Sequence, residues 1–169
     1  MILWLKLVAG LAAALLGTLA VSAARIPSAP DLFLFPVAFA ARGGHPLRAM
    51  LTGLAAGLLE DSLVTPPRLL GFHAFSKILI GYLLATIESR VIIERPAALG
   101  ALLAGSAAAE HFVLAGLLWF LRGEFVAPQV VEVLPRSLTT GLIAFILMSL
   151  FRVPWRFRLF NRRGAKLVS

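Results

Sequence analysis

Five ionisable side chains lie inside or beside two neighbouring apolar segments of this sequence. They are Glu60, Asp61, Arg68, His73 and Lys77. A proline-containing turn at residues 65–68 joins the two segments and predicts a hairpin that returns into a membrane. A charge at membrane depth costs roughly 3 kcal/mol or more unless it is paired or hydrated. Function is therefore expected at this hairpin.

The spacing of the polar residues does not fit an enzyme. Neighbouring Glu60 and Asp61 point about 100° apart on a helix, so they cannot form a paired-carboxylate site alone. His73 and the Glu110-His111 pair give too few well-spaced ligands for zinc, and the sequence lacks His-Glu-x-x-His and Gly-x-Ser-x-Gly. The absence of cysteine excludes disulfides and thiolate metal sites. We expect no catalytic, cofactor-binding or metal-binding residues.

The composition is that of an integral membrane protein. The chain has 169 residues, of which 60% are hydrophobic and 14% charged, and its mean hydropathy is +0.92. Soluble domains contain more charged residues than this. The formal net charge is +8, but the basic residues lie at the ends of apolar segments. This distribution favours anionic lipid over nucleic acid as the partner.

Proline, glycine and arginine divide the chain into six segments near the length of a membrane helix. These predicted spans cover residues 2–24, 28–42, 47–64, 69–87, 97–121 and 137–152. The expected fold is an all-α bundle of six transmembrane helices in one domain, 1–152, followed by a basic cytoplasmic tail, 153–169.

Two of these spans leave an alternative open. The first could be a cleaved signal peptide, but its apolar run of about 20 residues is long enough to cross, which favours a span. The second contains Asp31 and is interrupted by Pro27, Pro30 and Pro36. Because a proline inside a helix removes a hydrogen bond, Pro36 predicts a kink or break.

The distribution of lysine and arginine predicts the orientation. With six spans, the N-terminus, the loops with Arg42, Arg48, Arg90 and Arg95, and the C-terminal tail share one side and carry eleven basic residues. The other side carries four. These are Arg25, Arg68, Arg122 and Arg136. Because basic residues favour the cytoplasmic side, both termini are expected there.

Helical rise places several polar residues at one depth in the outer part of the bundle. They form a predicted mixed-charge cluster of Arg25, Asp31, Glu60, Asp61, Arg68 and His73. Lys77 and Glu110 fall deeper, near the middle of spans four and five. Because each is costly alone at that depth, we expect a midplane ion pair. A strut that fixes helix register is favoured over a role in transport or proton relay.

Gly53 and Gly57 form a Gly-x-x-x-Gly motif in span three. Small residues at this spacing let another helix approach closely. Packing inside the bundle is favoured over docking of a partner, since the spacing is common in Ala/Gly/Leu-rich sequence.

Aromatic and basic residues alternate just beyond the last span, where Trp155, Arg156 and Arg158 begin the run WRFRLF. This pattern is typical of an interfacial anchor on an anionic inner leaflet. A protein-binding tail is the alternative.

The middle of the chain contains the runs GLAAGLLED at 53–61, LGFHA at 70–74 and GYL at 81–83. These runs resemble the signature of the rod shape-determining protein MreD family. That signature is a Gly-rich helix ending in Gly-Leu-Leu-x-Asp, a turn, Leu-Gly, and a helix containing Gly-Tyr-Leu. Chain length, span number and Pro-Asp-Leu at 30–32 also agree. Lys77 and the doubled proline at 66–67 are not general features of the family.

The resemblance implies a non-enzymatic subunit of the bacterial elongation machinery in the inner membrane. Its implied partners are MreC and, through the complex, the RodA glycosyltransferase, its penicillin-binding transpeptidase and the MreB filament. Asp61 and Gly71 are implied to be architectural, with Gly71 letting span four approach its neighbours and Asp61 holding the turn. The implied fold is similar to the substrate-binding subunits of energy-coupling-factor transporters. The alternative function is therefore a vitamin-like small-molecule binding subunit that uses the outer polar cluster as its pocket.

Overall fold

Six α-helices and no strand make up the described part of the chain. The computed structural model describes residues 2–23, 29–63, 71–90, 95–123 and 129–151. The helices are α1 (Ile2–Ala23), α2 (Leu34–Ala41), α3 (Pro46–Leu63), α4 (Phe72–Arg90), α5 (Pro96–Arg122) and α6 (Val130–Phe151). The predicted all-helical class is confirmed for these residues.

Three helices are long and apolar enough to cross a membrane. They correspond to Leu3–Ala23, Pro96–Leu121 and Val130–Leu150, in α1, α5 and α6. Helices α3 and α4 have 18 and 19 residues, but each carries three charged side chains. These three apolar helices fit a membrane protein, whereas α2, at about 12 Å, is too short to cross alone.

The second predicted span, 28–42, differs most from the structure. Its described part is helical only over Leu34–Ala41. The Asp31 carboxylate accepts a hydrogen bond from the Phe33 N–H at 3.0 Å, which holds a turn instead of a helix. Because α2 starts so late, Pro36 is its third residue, where an N–H would have no intrahelical acceptor. Pro36 therefore does not produce the predicted kink.

The helices form two groups. Helices α3 and α4 are an antiparallel hairpin with α2 packed on both, and α5 and α6 are a second hairpin. Helices α2 and α4 contact α5, and α1 packs on α2 and α3. The core between the groups is formed by buried apolar side chains. They include Leu34, Val37, Ile80, Leu84, Leu103 and Ala107.

Both hairpins depend on backbone-to-backbone contact at glycine. A Cβ at Gly53 would overlap the Lys77 carbonyl, and one at Gly57 would overlap the Ala74 backbone. In the second hairpin, a Cβ at Gly100 would lie 2.9 Å from the carbonyl oxygen of Gly141. These distances are shorter than normal van der Waals contact, so only glycine fits. Gly53 and Gly57 thus face α4 inside the bundle.

Candidate functional site: a buried charge cluster

Lys77 is the centre of a cluster of charged side chains between the two helix groups. Its ammonium is fully buried and donates hydrogen bonds to Asp31 Oδ2 at 2.6 Å and to both Glu110 carboxylate oxygens at 2.9 Å. Glu60 Oε2 lies 2.8 Å from the same nitrogen as an ion pair. Since an ammonium has three N–H donors, those of Lys77 are all used. We name the set Asp31, Glu60, His73, Lys77, Glu110 and Arg136 the Lys77 cluster.

Helices α3, α4, α5 and α6 each contain a member of this cluster, and α2 lies next to one. Asp31 immediately precedes the turn into α2, and Glu60 lies in the last turn of α3. Lys77 lies in the second turn of α4, and Glu110 lies at the middle of α5. The tight glycine contact between α3 and α4 brings Glu60 beside Lys77. The cluster therefore joins the α2–α3–α4 group to the α5–α6 hairpin through side chains.

Arg136 supplies the second permanent cation, and the sequence did not predict it there. Its Nη2 lies 2.9 Å from Glu60 Oε1 and 3.7 Å from Asp31 Oδ2. The predicted sixth span began at 137 and left Arg136 in a loop, but α6 begins at Val130 and includes Pro135. The four apolar residues of the run 130–134, which is interrupted by Glu132, could have signalled the earlier start. Pro135 is the sixth residue of α6 and removes one intrahelical hydrogen bond, a loss that membrane helices tolerate.

His73 completes the charge balance of the cluster. Its Nδ1 lies 3.2 Å from Glu110 Oε1 and 3.8 Å from Glu60 Oε2. Three carboxylates and two permanent cations give a formal charge of −1. The cluster is neutral when the His73 imidazole carries its second proton.

The ligand atoms of Glu60, His73 and Glu110 lie within 4.8 Å of one another, a spacing that could hold a metal ion. The Lys77 ammonium, however, lies within 2.9 Å of both carboxylates. This nitrogen already provides the positive charge that a metal ion would bring. The arrangement is thus that of an ion-pair network within the described residues, and it carries no argument for a metal.

The backbone beside Asp31 is fixed to α6. The Asp31 N–H donates to Thr140 Oγ1 at 2.9 Å, and this hydroxyl donates to the Arg136 carbonyl at 2.7 Å. Both Asp31 and Thr140 are buried. Non-helical backbone inside a membrane protein is tolerated when protein groups satisfy it, and these bonds do so. Thr140 was not among the predicted site residues.

Asp61 does not join the Lys77 cluster but accepts hydrogen bonds at the start of α4. Its carboxylate accepts from the Gly71 N–H at 2.8 Å, the His73 N–H at 3.2 Å and the Ala74 N–H at 3.4 Å. These donors belong to the helix end, where N–H groups lack intrahelical partners. Asp61 therefore caps α4 from α3.

Gly71 has a different role from the one that the family resemblance implied. Its φ is +104°, and a Cβ there would meet none of the described residues within 4 Å. Close approach to a neighbour is thus not the reason for glycine at this position. The positive φ is the reason, because residues with a Cβ rarely adopt this backbone conformation.

The remaining predicted site residues lie partly in the Lys77 cluster and partly outside the described residues. Lys77 and Glu110, predicted as an isolated midplane pair, lie in contact within the larger cluster. Arg25 and Arg68 lie outside the described residues. So do the predicted lipid-anchor residues, Trp155, Arg156 and Arg158.

The chain matches the family described as rod shape-determining protein MreD over residues 1–162. The chain belongs to the MreD family. No curated protein and no solved structure matches it. Members of the MreD family are shape-determining structural components, so this MreD-family protein has a role in rod shape determination. The likeness to energy-coupling-factor subunits stays a prediction.

The segment that resembles the MreD signature forms the α3–α4 hairpin. Gly53, Gly57 and Gly81 lie where α3 touches α4, and Asp61, at the end of the first run, caps α4. In this MreD-family protein the signature therefore covers the residues that set the geometry of one hairpin.

Proposed function

We propose that this protein is a non-enzymatic scaffold subunit of the bacterial elongation complex in the inner membrane. In this role it binds MreC and couples lateral peptidoglycan synthesis to the MreB filament. Contact with RodA and its penicillin-binding transpeptidase is made through the complex. Membership of the MreD family supports the shape-determining role, and the partners come from the family resemblance.

The observation that carries this proposal is that all the donors of the buried Lys77 ammonium are engaged by carboxylates of the cluster. All three N–H donors of Lys77 bond to Asp31 and Glu110, and Glu60 is held between Lys77 and Arg136. Catalysis and substrate binding need polar groups that can reach a ligand. Here the charged groups are engaged with one another, which suits a part that fixes the relative position of two helix groups.

We propose that α3 and α4 also cross the bilayer, and that α2 crosses together with the non-helical residues 29–33 before it, giving six spans with both termini cytoplasmic. Charges inside the bundle are accepted when paired, as those of Glu60 and Lys77 are. The opposite faces of these helices expose large apolar side chains suited to lipid. They include Leu47, Leu51, Leu58, Phe75, Leu79 and Leu83. The basic tail with Trp155, Arg156 and Arg158 then anchors to anionic lipid of the inner leaflet.

The alternative, a transporter subunit with a polar pocket, has less support. The larger of the two described cavities has a volume of about 570 Å³ and lies among α1, α2, α5 and α6. No residue of the Lys77 cluster lines it. Of the polar residues predicted to form a small-molecule pocket, Asp31, Glu60 and His73 belong to the Lys77 cluster instead.

Co-purification tests the scaffold directly. The full chain, extracted in mild detergent from cells that express the rod complex, is expected to retain MreC, as detected by mass spectrometry. Lys77→Met, which removes the cation shared by carboxylates of both helix groups, is expected to reduce MreC recovery and rescue of rod shape. Arg90→Met is the matched control, because Arg90 is an exposed cation on the same helix. Recovery of a bound vitamin-like molecule without MreC would instead support the transporter subunit.

A further inference from the structure

An apolar groove lies between α1 and the rest of the bundle. It has a volume of about 570 Å³. Its lining includes Gly10, Ala13 and Ala14 of α1, Phe35 and Phe39 of α2, and Leu103 of α5. We call it the α1 groove. Its size is in the range of small-ligand pockets, about 300–1,000 Å³.

The α1 groove exists because α1 packs on only one side of the bundle. Helix α1 rests on α2 and α3, and Gly10 approaches Pro36 of α2. The α5–α6 hairpin is attached through α4 and α2 instead. Space therefore remains between α1 and the side chains of Leu99 and Leu147.

Two basic residues lie toward the same end of the groove, because α1 and α2 run antiparallel, with Gly10 beside Pro36 and Gly17 beside Leu32. Lys6, in the second turn of α1, and Arg42, directly after α2, both line it, and no acidic residue does so among its described residues. The Arg42 guanidinium carbon also lies 5.9 Å from the centre of the Phe39 ring, which places it beside the apolar lining. The groove thus has a positive end and an apolar remainder.

We propose that the α1 groove binds an anionic glycerophospholipid. The phosphate contacts Lys6 and Arg42, and an acyl chain lies along the apolar lining between α1 and the α5–α6 hairpin. Each basic residue near a membrane surface contributes about 1 kcal/mol of attraction to anionic lipid. This site is separate from the basic tail.

The dimensions favour a lipid over a partner helix as the occupant. A transmembrane helix is about 10 Å across and about 30 Å long, so it could cover the groove but not fill it, whereas a single acyl chain can enter a cavity of about 570 Å³. A segregated positive end also complements an amphiphile with one charged head. An apolar helix would gain nothing from Lys6 or Arg42.

Native mass spectrometry of the full chain in detergent tests the charged end. With phosphatidylglycerol and phosphatidylcholine of identical acyl chains, we expect one retained phosphatidylglycerol and little phosphatidylcholine. Lys6→Gln and Arg42→Gln should each lower the affinity for phosphatidylglycerol about fivefold. Arg90→Gln removes an exposed cation at the same end of the bundle and should change nothing. Equal losses in all three variants would show general charge attraction and overturn the proposal.

A steric pair tests the apolar part. Ala13 lines the groove and Ala12 does not, and both are exposed positions of α1. Ala13→Leu should abolish retention of phosphatidylglycerol, whereas Ala12→Leu should leave it unchanged. Inorganic phosphate should not compete, because it lacks the acyl chain. If Ala13→Leu kept the lipid but lost MreC, the groove would belong to a partner helix, and the proposal would be wrong.

Discussion

Lys77 is surrounded by more negative charge than a single ion pair would provide. Burial of an ammonium is costly, and three carboxylates from three different elements offset that cost. Removal of the cation would leave Asp31, Glu60 and Glu110 close together with only Arg136 and His73 to balance them. Lys77 therefore acts as the common counter-ion of three chain segments rather than as one half of a single ion pair.

Lys77→Met is expected to lower the free energy of unfolding by about 3–5 kcal/mol, because it strands buried carboxylates. The measurement is reversible unfolding in mixed detergent micelles. The control Arg90→Met should change it by no more than about 0.5 kcal/mol, as expected for an exposed residue.

The double variant Lys77→Met with Glu110→Leu separates a network from an isolated pair. Removing Glu110 as well should recover only part of the loss, since Asp31 and Glu60 remain. Nearly complete recovery would show that Lys77 and Glu110 act as an independent pair. Strictly additive losses would show that the two do not interact.

Asp61→Ala is expected to destabilise the protein by about 1–2 kcal/mol through loss of the cap on α4. Asp61→Asn retains one acceptor oxygen and should cost less.

Gly71→Ala should also cost about 1–2 kcal/mol through backbone strain alone, because space for the methyl group is available. Thermal unfolding followed by circular dichroism compares the three, and a neutral Gly71→Ala would contradict the assigned role.

At the scale of helices, the sequence predicts most boundaries because apolar runs end at proline, glycine or arginine. The predicted spans 47–64 and 97–121 lie within one residue of α3 and α5 at each end. The second span differs because the Asp31 carboxylate holds a turn where a helix was predicted, and the sixth differs because Arg136 looks like a boundary residue when taken alone. Their partners lie on other helices, and that information is absent from the local sequence.

Gly57→Leu is expected to lower stability by about 1–3 kcal/mol through overpacking, because even a Cβ would overlap the Ala74 backbone. Gly116→Leu is the matched control, since a Cβ at Gly116 of α5 meets nothing within 4 Å. Melting temperature and MreC recovery should be measured together. A stable Gly57→Leu protein that no longer binds MreC would instead place the partner interface on α3.

At the scale of the whole molecule, the membrane depth assigned to each residue from the sequence predicts that several site residues lie near one another. It predicts Asp31, Glu60 and His73 at one level and Lys77 opposite Glu110. It does not predict that the outer residues and the deeper pair form one cluster. That contact depends on the short α2 and on the early start of α6. With Arg136 inside the bundle, the less basic side of the predicted topology keeps three basic residues instead of four.

The bias in basic residues is therefore larger than the sequence alone indicated, and it predicts the orientation of the whole bundle. A reporter fused after Ser169 should be active only in a cytoplasmic form. A reporter inserted between Gly123 and Gln129 should be active only in an exported form, because that connection precedes α6. Matched insertions between Arg90 and Arg95 should behave like the C-terminal fusion. Activity of an exported reporter at Ser169 would mean that one of α2, α3 and α4 does not cross as proposed, and that the Lys77 cluster lies at a different depth.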